Sequence, residues 1–200
     1  MKLCFSPTSP YVRKVRACAI TREVDHLIEL VPTNPNESRP EFIAINPLAK
    51  VPALVTDDGL ALFDSPVICE YLDSIGDALP MFPEHGALRW RALKFQAMGD
   101  GILDASVPRR GEMLKPQDDG RAAWIARQKA AVDQTLGALE ADPPHRAIDI
   151  GSIAVACALG YLDFRFAAQL WRPAHPKLAA WFDAFAQNPG IADTVPKDPG

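Results

Sequence analysis

The stretch VPALVTDDGLALFDS, residues 51–65, decides how the first half of the chain is read. Two apolar runs flank Asp58-Gly59, and an Asp-Gly pair there is a strong hairpin signal, because tight hairpin turns need residues that accept positive φ. Two antiparallel strands are expected. A helix should follow at once, with Ser65 as N-cap and Pro66 at the first helical position, where a missing N–H costs nothing. Val67, Ile68, Tyr71, Leu72 and Ile75 then fall on one face, and Gly76 ends the helix.

Working back toward the N-terminus, EFIAIN (41–46) reads as a short helical piece behind the loop PTNPNESRP (32–40). KLCF (2–5) and HLIELV (26–31) read as strands on either side of a helix from Pro10 to Arg22, a βαβ unit. Ser9 is that helix's N-cap candidate, and Pro10 has the φ and the missing donor that suit its first position. The order up to residue 77 is βαβαββα. Residues 78–86 are expected to be a linker. Every later segment has helical period, so 87–200 is expected to form an all-helical domain.

The chain has 200 residues, of which 48% are hydrophobic and 23% charged, enough for one large core or two modest ones. A net charge of −4 argues against a nucleic-acid partner, which needs Lys and Arg in clustered excess. The one basic cluster, Arg13, Lys14 and Arg16, is expected to be a solvated helix face. No apolar run approaches a membrane span, and MKLCFSPTSP lacks the apolar core of a signal peptide, so no membrane partner and a cytoplasmic location are expected. The four cysteines, Cys4, Cys18, Cys69 and Cys157, lack metal or redox spacing and read as buried free thiols. His26, His85, His145 and His175 lie far apart, so no metal is expected.

A βαβαββα module followed by a helical domain resembles the cytosolic glutathione transferases, in particular their bacterial branch with SPxSPYVRKV near the start and ACALGYLDFR near the end. NPLAKVPALV (46–55) and FDSPVICEYL (63–72) match the family's NPxGKVPxL and [ED]S-x-x-I-x-x-YL patterns. The resemblance implies an α+β thioredoxin-like N-terminal domain over 1–77 that binds glutathione and an all-α domain over 87–200 that supplies the electrophile pocket and the contacts of a homodimer. It departs from the commoner pattern at DIGS (149–152), where Ser/Thr-x-x-Asp is usual, although Asp149 and Ser152 can still cap each other.

Glutathione is an anionic tripeptide with two carboxylates, an amine and a thiol. A helix start at Ser65 offers unpaired N–H groups and about half a positive charge, which suits a carboxylate. The resemblance assigns the γ-glutamyl carboxylate to Ser65, with Asp64 orienting the ligand. It also implies a cis peptide at Val51-Pro52, whose backbone pairs with the cysteinyl unit, and places Lys50 at the glycyl carboxylate. Ser9-Pro10-Tyr11 stands where relatives carry Cys-Pro-Tyr or Cys-Pro-Phe, so Ser9 is the candidate catalytic residue, a hydroxyl donor to the thiolate. Thr8 and Ser6 are its rivals, and simple capping is the alternative use of Ser9. Serine cannot form the mixed disulfide that cysteine would, which favours conjugation over thiol exchange.

In GDGILDASVPRR (99–110) the resemblance suggests Asp100 as a residue that crosses to the partner subunit's glutathione amine. Trp90, Trp124, Tyr161, Phe164 and Trp171 either line the electrophile site or fill the core, the commoner use of such residues. The expected activity is glutathione transfer to a small electrophile. The alternatives are a glutathione-dependent dehalogenase, isomerase or peroxidase, or a non-catalytic glutathione-binding interaction module.

Overall fold

A computed structural model describes residues 1–37 and 39–198, and the chain divides into two compact units, Met1–Glu84 joined by Asn188–Gly200, and His85–Gln187. In the first unit β1 (Lys2–Phe5), α1 (Pro10–Thr21), β2 (Glu29–Pro32), α2 (Pro40–Ile45), β3 (Ala53–Val55), β4 (Ala61–Leu62) and α3 (Ser65–Ile75) follow in the expected βαβαββα order. They build one sheet of order β2-β1-β3-β4, with β1 parallel to β2 and antiparallel to β3, and β3 antiparallel to β4. Part of the expected second strand is instead a 3-10 turn, Asp25–Leu27. The hairpin turns through Thr56, whose N–H donates to the Leu60 carbonyl at 3.0 Å, and Gly59 alone in that loop takes positive φ, at 89°.

Leu3, Leu54, Val15, Cys18, Ile68 and Leu72 are fully buried and form the centre of this unit. Near it lies a buried ion pair: Arg22 Nε stands 3.1 Å from Asp73 Oδ1, and the Asp73 carboxylate also accepts the N–H groups of Met81 and Phe82 at 2.8 and 3.1 Å. One aspartate thus ties α1, α3 and the segment after α3 together. The four cysteines are buried and unbridged, as expected.

Two expectations are corrected here. Arg13 and Lys14 are buried, not solvated: Arg13 Nη2 donates to the Ile191 carbonyl at 3.1 Å and Nε to Thr194 Oγ1 at 3.4 Å. The segment that buries Arg13 is α8 (Pro189–Ala192) with the residues after it, which the sequence reading assigned to the helical domain of 87–200. Close approach explains the return, since a Cβ on Gly190 would sit 2.6 Å from the Ala17 carbonyl oxygen of α1.

The second unit consists of α4 (Gly86–Met113), α5 (Asp119–Ala141), α6 (Ile150–Arg165) and α7 (Pro176–Phe185). α6 is buried without a break from Ile150 to Leu162, as a helix apolar on every side must be. Gly99 lets α4 lie against it, because a Cβ there would meet the Ala154 backbone at 2.6 Å. The anticipated capping box forms at its start: Ser152 N–H donates to Asp149 Oδ1 at 2.7 Å and Asp149 N–H to Ser152 Oγ at 2.9 Å. Trp90 and Trp124 are exposed, so neither fills the core, whereas Tyr161 and Trp171 are buried and Phe164 is half-buried.

Candidate functional site

The strand registers gather the first unit's candidates at one end of the sheet. Cys4 pairs with Ala53 and Leu54 with Leu62, so the end of β1, the start of β3 and the end of β4 share one edge. Three connections therefore meet there: Ser6–Ser9 after β1, Lys50–Pro52 before β3, and Asp64–Ser65 after β4.

Ser9 occupies the N-cap of α1 in extended conformation, and its Oγ accepts the Val12 N–H at 3.3 Å. Its own N–H donates to the Ser6 carbonyl at 3.2 Å, which closes the loop. A hydroxyl has one proton to give and two lone pairs to receive with, so this cap bond leaves the proton's direction open. Ser6, Thr8 and Ser9 are all half-buried, and burial alone does not separate them.

The loop into β3 is braced by a residue to which the sequence reading gave no role. Asn46 is buried, its Nδ2 donates to the Lys50 carbonyl at 2.7 Å, and its Oδ1 accepts the Leu48 N–H at 3.0 Å. The Asn-Pro pair at 46–47 is the signal that could have exposed it, since Asn side chains commonly close turns of this kind. Inside the brace Ala49 takes φ 51°, a left-handed conformation that a Cβ disfavours. The Lys50 side chain projects to solvent and the Val51-Pro52 peptide is cis, as the resemblance implied.

At the third connection Asp64, not Ser65, is the N-cap of α3. Asp64 keeps extended backbone and its carbonyl accepts the Ile68 N–H at 3.0 Å, while Ser65 is already helical and is 1% exposed. The Asp64 carboxylate makes no capping bond and is exposed. Pro66 carries no N–H, so the N–H groups of Ser65 and Val67 are the ones that a helix start leaves without an intrahelical acceptor. An anion is the ligand such an end attracts.

Asp100 belongs to the other unit, half-buried on α4. That unit contains a pocket of about 340 Å³ between α4, α5 and the C-terminal end of α6, with Arg109, Leu136, Leu162, Phe166 and Trp171 in its walls. Burial lowers the Arg109 pKa from its ordinary value, and the charge of Asp133 partly offsets this. Among the described residues no cluster of three or more His, Cys, Asp or Glu side chains could hold a metal ion, and no helix is long and apolar enough to cross a membrane.

Residues 8–75 match the N-terminal domain family of the glutathione S-transferases, and residues 122–184 match the C-terminal domain family. The chain is 33% identical to the uncharacterized GST-like protein YibF of Escherichia coli, over 98% of each chain. Among solved structures, a glutathione transferase family member from Pseudomonas fluorescens with bound glutathione is 38% identical, with a TM-score of 0.91 over 98% of this chain and 99% of that one. A glutathione S-transferase from Methylobacillus flagellatus, also with glutathione bound, is 32% identical with a TM-score of 0.88, over 98% and 99%.

Proposed function

Because the chain belongs to the glutathione S-transferase family, we propose that it binds glutathione on its first unit and activates the thiol for attack on an electrophilic small molecule. The observation that carries this reading is the meeting, at one sheet end, of a hydroxyl-capped helix start, the loop that Asn46 braces and the start of α3. Its chemistry matches the tripeptide part by part. The N–H groups at the start of α3, together with Ser65, take the γ-glutamyl carboxylate, and the uncommitted Asp64 carboxylate orients that end. Val51 pairs its backbone with the cysteinyl unit, and Lys50 reaches the glycyl carboxylate as a flexible point charge.

Activation is a matter of a few kcal/mol. A thiol has a pKa near 8.5, so only a few per cent is thiolate at neutral pH. A hydroxyl hydrogen bond to a charged partner contributes roughly 1.5 to 3 kcal/mol and a helix N-terminus about 0.3 to 1. Together they lower the thiol pKa by about 1 to 3 units. Ser9, donating its proton to sulfur from the start of α1, supplies both. The thiol proton passes to solvent, the thiolate forms the new sulfur–carbon bond, and the electron pair of the bond that breaks departs with the leaving group, as chloride does from an aryl chloride. The family plan adds a cytoplasmic homodimer in which Asp100 reaches the partner subunit's glutathione amine.

Calorimetric titration with glutathione, paired with a conjugation assay on 1-chloro-2,4-dinitrobenzene, tests the reading. Binding with turnover is expected. Binding without turnover would move the protein to the interaction modules, and no binding would overturn the glutathione site itself.

A further inference from the structure

The pocket of the helical unit contains an arginine in an unusual state. Arg109 is 1% exposed, its guanidinium lies 4.2 Å from the centre of the Phe166 ring, and its Nη2 donates to Gln169 Oε1 at 2.7 Å. Among the described residues Nε and Nη1 have no hydrogen-bond partner. Buried polar groups are nearly always paired, and a buried cation left without an anion is costly. Nη2 has two hydrogens and gives one to Gln169. One full edge of the guanidinium, the second Nη2 hydrogen with either Nε or Nη1, therefore remains for an acceptor with two oxygens.

The surrounding charges leave Arg109 as the net charge of the pocket. Lys129 and Asp133 also line it, but they pair with each other at 2.6 Å, and both are about half exposed. His175 holds its Nδ1 2.7 Å from the Trp171 carbonyl, which can only accept, so that nitrogen is a donor and the ring brings no negative charge to offset Arg109. The rest of the wall is apolar: Leu136, Leu162, Phe166 and Trp171, with the Trp171 ring held in place by its Nε1 donating to Asp163 Oδ1 at 2.7 Å. A volume of about 340 Å³ falls within the range of small-molecule sites.

We propose that this pocket binds a small monocarboxylic acid with an aromatic or short aliphatic body, its carboxylate on the unpaired edge of Arg109 and its body against Phe166 and Trp171. The site lies wholly within the helical unit. It does not depend on the glutathione reading of the first unit, and either can fail without the other.

Calorimetric titration of the full chain with 3-phenylpropanoate and with its uncharged counterpart 3-phenylpropanamide tests the proposal. The acid should bind at least tenfold more tightly than the amide. Arg109→Met, which keeps the volume and removes the charge, should weaken the acid at least tenfold and leave the amide unchanged. Leu170→Glu provides a second arm that spares the core, since Leu170 lines the mouth and is 74% exposed. Its new charge should weaken the acid severalfold more than the amide. Equal binding of acid and amide, no binding of the acid, or full acid affinity in Arg109→Met would overturn the proposal. If Arg109→Met does not fold, equal loss of acid and amide in Leu170→Glu would overturn it as well.

Discussion

At the scale of single residues, the cap and activator roles of Ser9 are compatible, because the Val12 N–H uses a lone pair and sulfur would use the proton. Substitution separates them. Ser9→Ala removes both roles, whereas Ser9→Asp caps as well as serine but sets a negative charge beside the thiolate. Both variants should lose conjugation rate at neutral pH, Asp more severely, and the ultraviolet thiolate band of bound glutathione should titrate at higher pH in Ser9→Ala. An unmoved titration would leave Ser9 as a cap only and pass the role to Thr8. Ala49 supports a second prediction. Its φ of 51° costs a non-glycine residue about 1 to 2 kcal/mol, while glycine adds back about 0.5 to 1 in unfolded-chain entropy. Ala49→Gly should therefore stabilise the protein by about 0.5 to 1 kcal/mol in denaturant unfolding, and any loss of stability would contradict the strain. The Ser9 cap was legible because Ser-Pro before an apolar run is local chemistry. The role of Asn46 was not, since it depends on burial and on the chain closing back to the Lys50 carbonyl. Burial of Arg13 escaped for the same reason, its acceptors lying at Ile191 and Thr194.

At the scale of elements, helix starts divide into those capped from within and those capped from afar. The Asp149–Ser152 box on α6 lies within four residues of sequence and was legible there. At α3 the cap was misplaced by one residue, because Asp-Ser-Pro admits either residue as cap and only the extended backbone of Asp64 decides. On the proposed reading Ser65, at the first helical position, offers the ligand its N–H and hydroxyl. Ser65→Ala should remove a charge-assisted bond of roughly 1.5 to 3 kcal/mol and weaken glutathione binding about tenfold or more. An unchanged dissociation constant in a folded variant would refute that contact. α7 is capped from afar: Glu140 accepts the Lys177 and Leu178 N–H groups at 3.1 and 2.8 Å. Desolvation raises the Glu140 pKa, but these N–H groups and the charges of Lys177 and His175 outweigh it, so the net value is lowered. A depressed carboxylate contributes stability above its unfolded pKa and loses it as pH falls through the folded one. Glu140→Gln should lower the melting temperature at pH 7, and the gap to wild type should close as pH drops through the carboxylate range. A gap independent of pH would show that the charge does nothing there.

At the scale of the whole molecule, the chain leaves its first unit after Glu84 and re-enters it at Asn188, so the described residues at either end of the chain belong to one unit. The βαβαββα plan was legible because its strands and helices each carry a period or a turn signal. The return was hidden, since α8 spans only Pro189–Ala192, too short for any period, and its docking depends on a glycine and on an arginine far upstream. Gly190 is the place to test this. A side chain there must displace the Ala17 backbone or move α8 away from α1. Moving α8 takes the Ile191 carbonyl and the Thr194 hydroxyl from Arg13 and opens the α1 face that α8 covers to water. The damage should stay on the first unit. In Gly190→Val, hydrogen exchange should show the amides of α1 losing protection by several orders of magnitude while those of α6, buried at the centre of the other unit, keep theirs. Wild-type protection across α1 would mean that the C-terminal segment merely rests on the first unit, whereas loss of protection in α6 to the same extent would mean that the two units open as one.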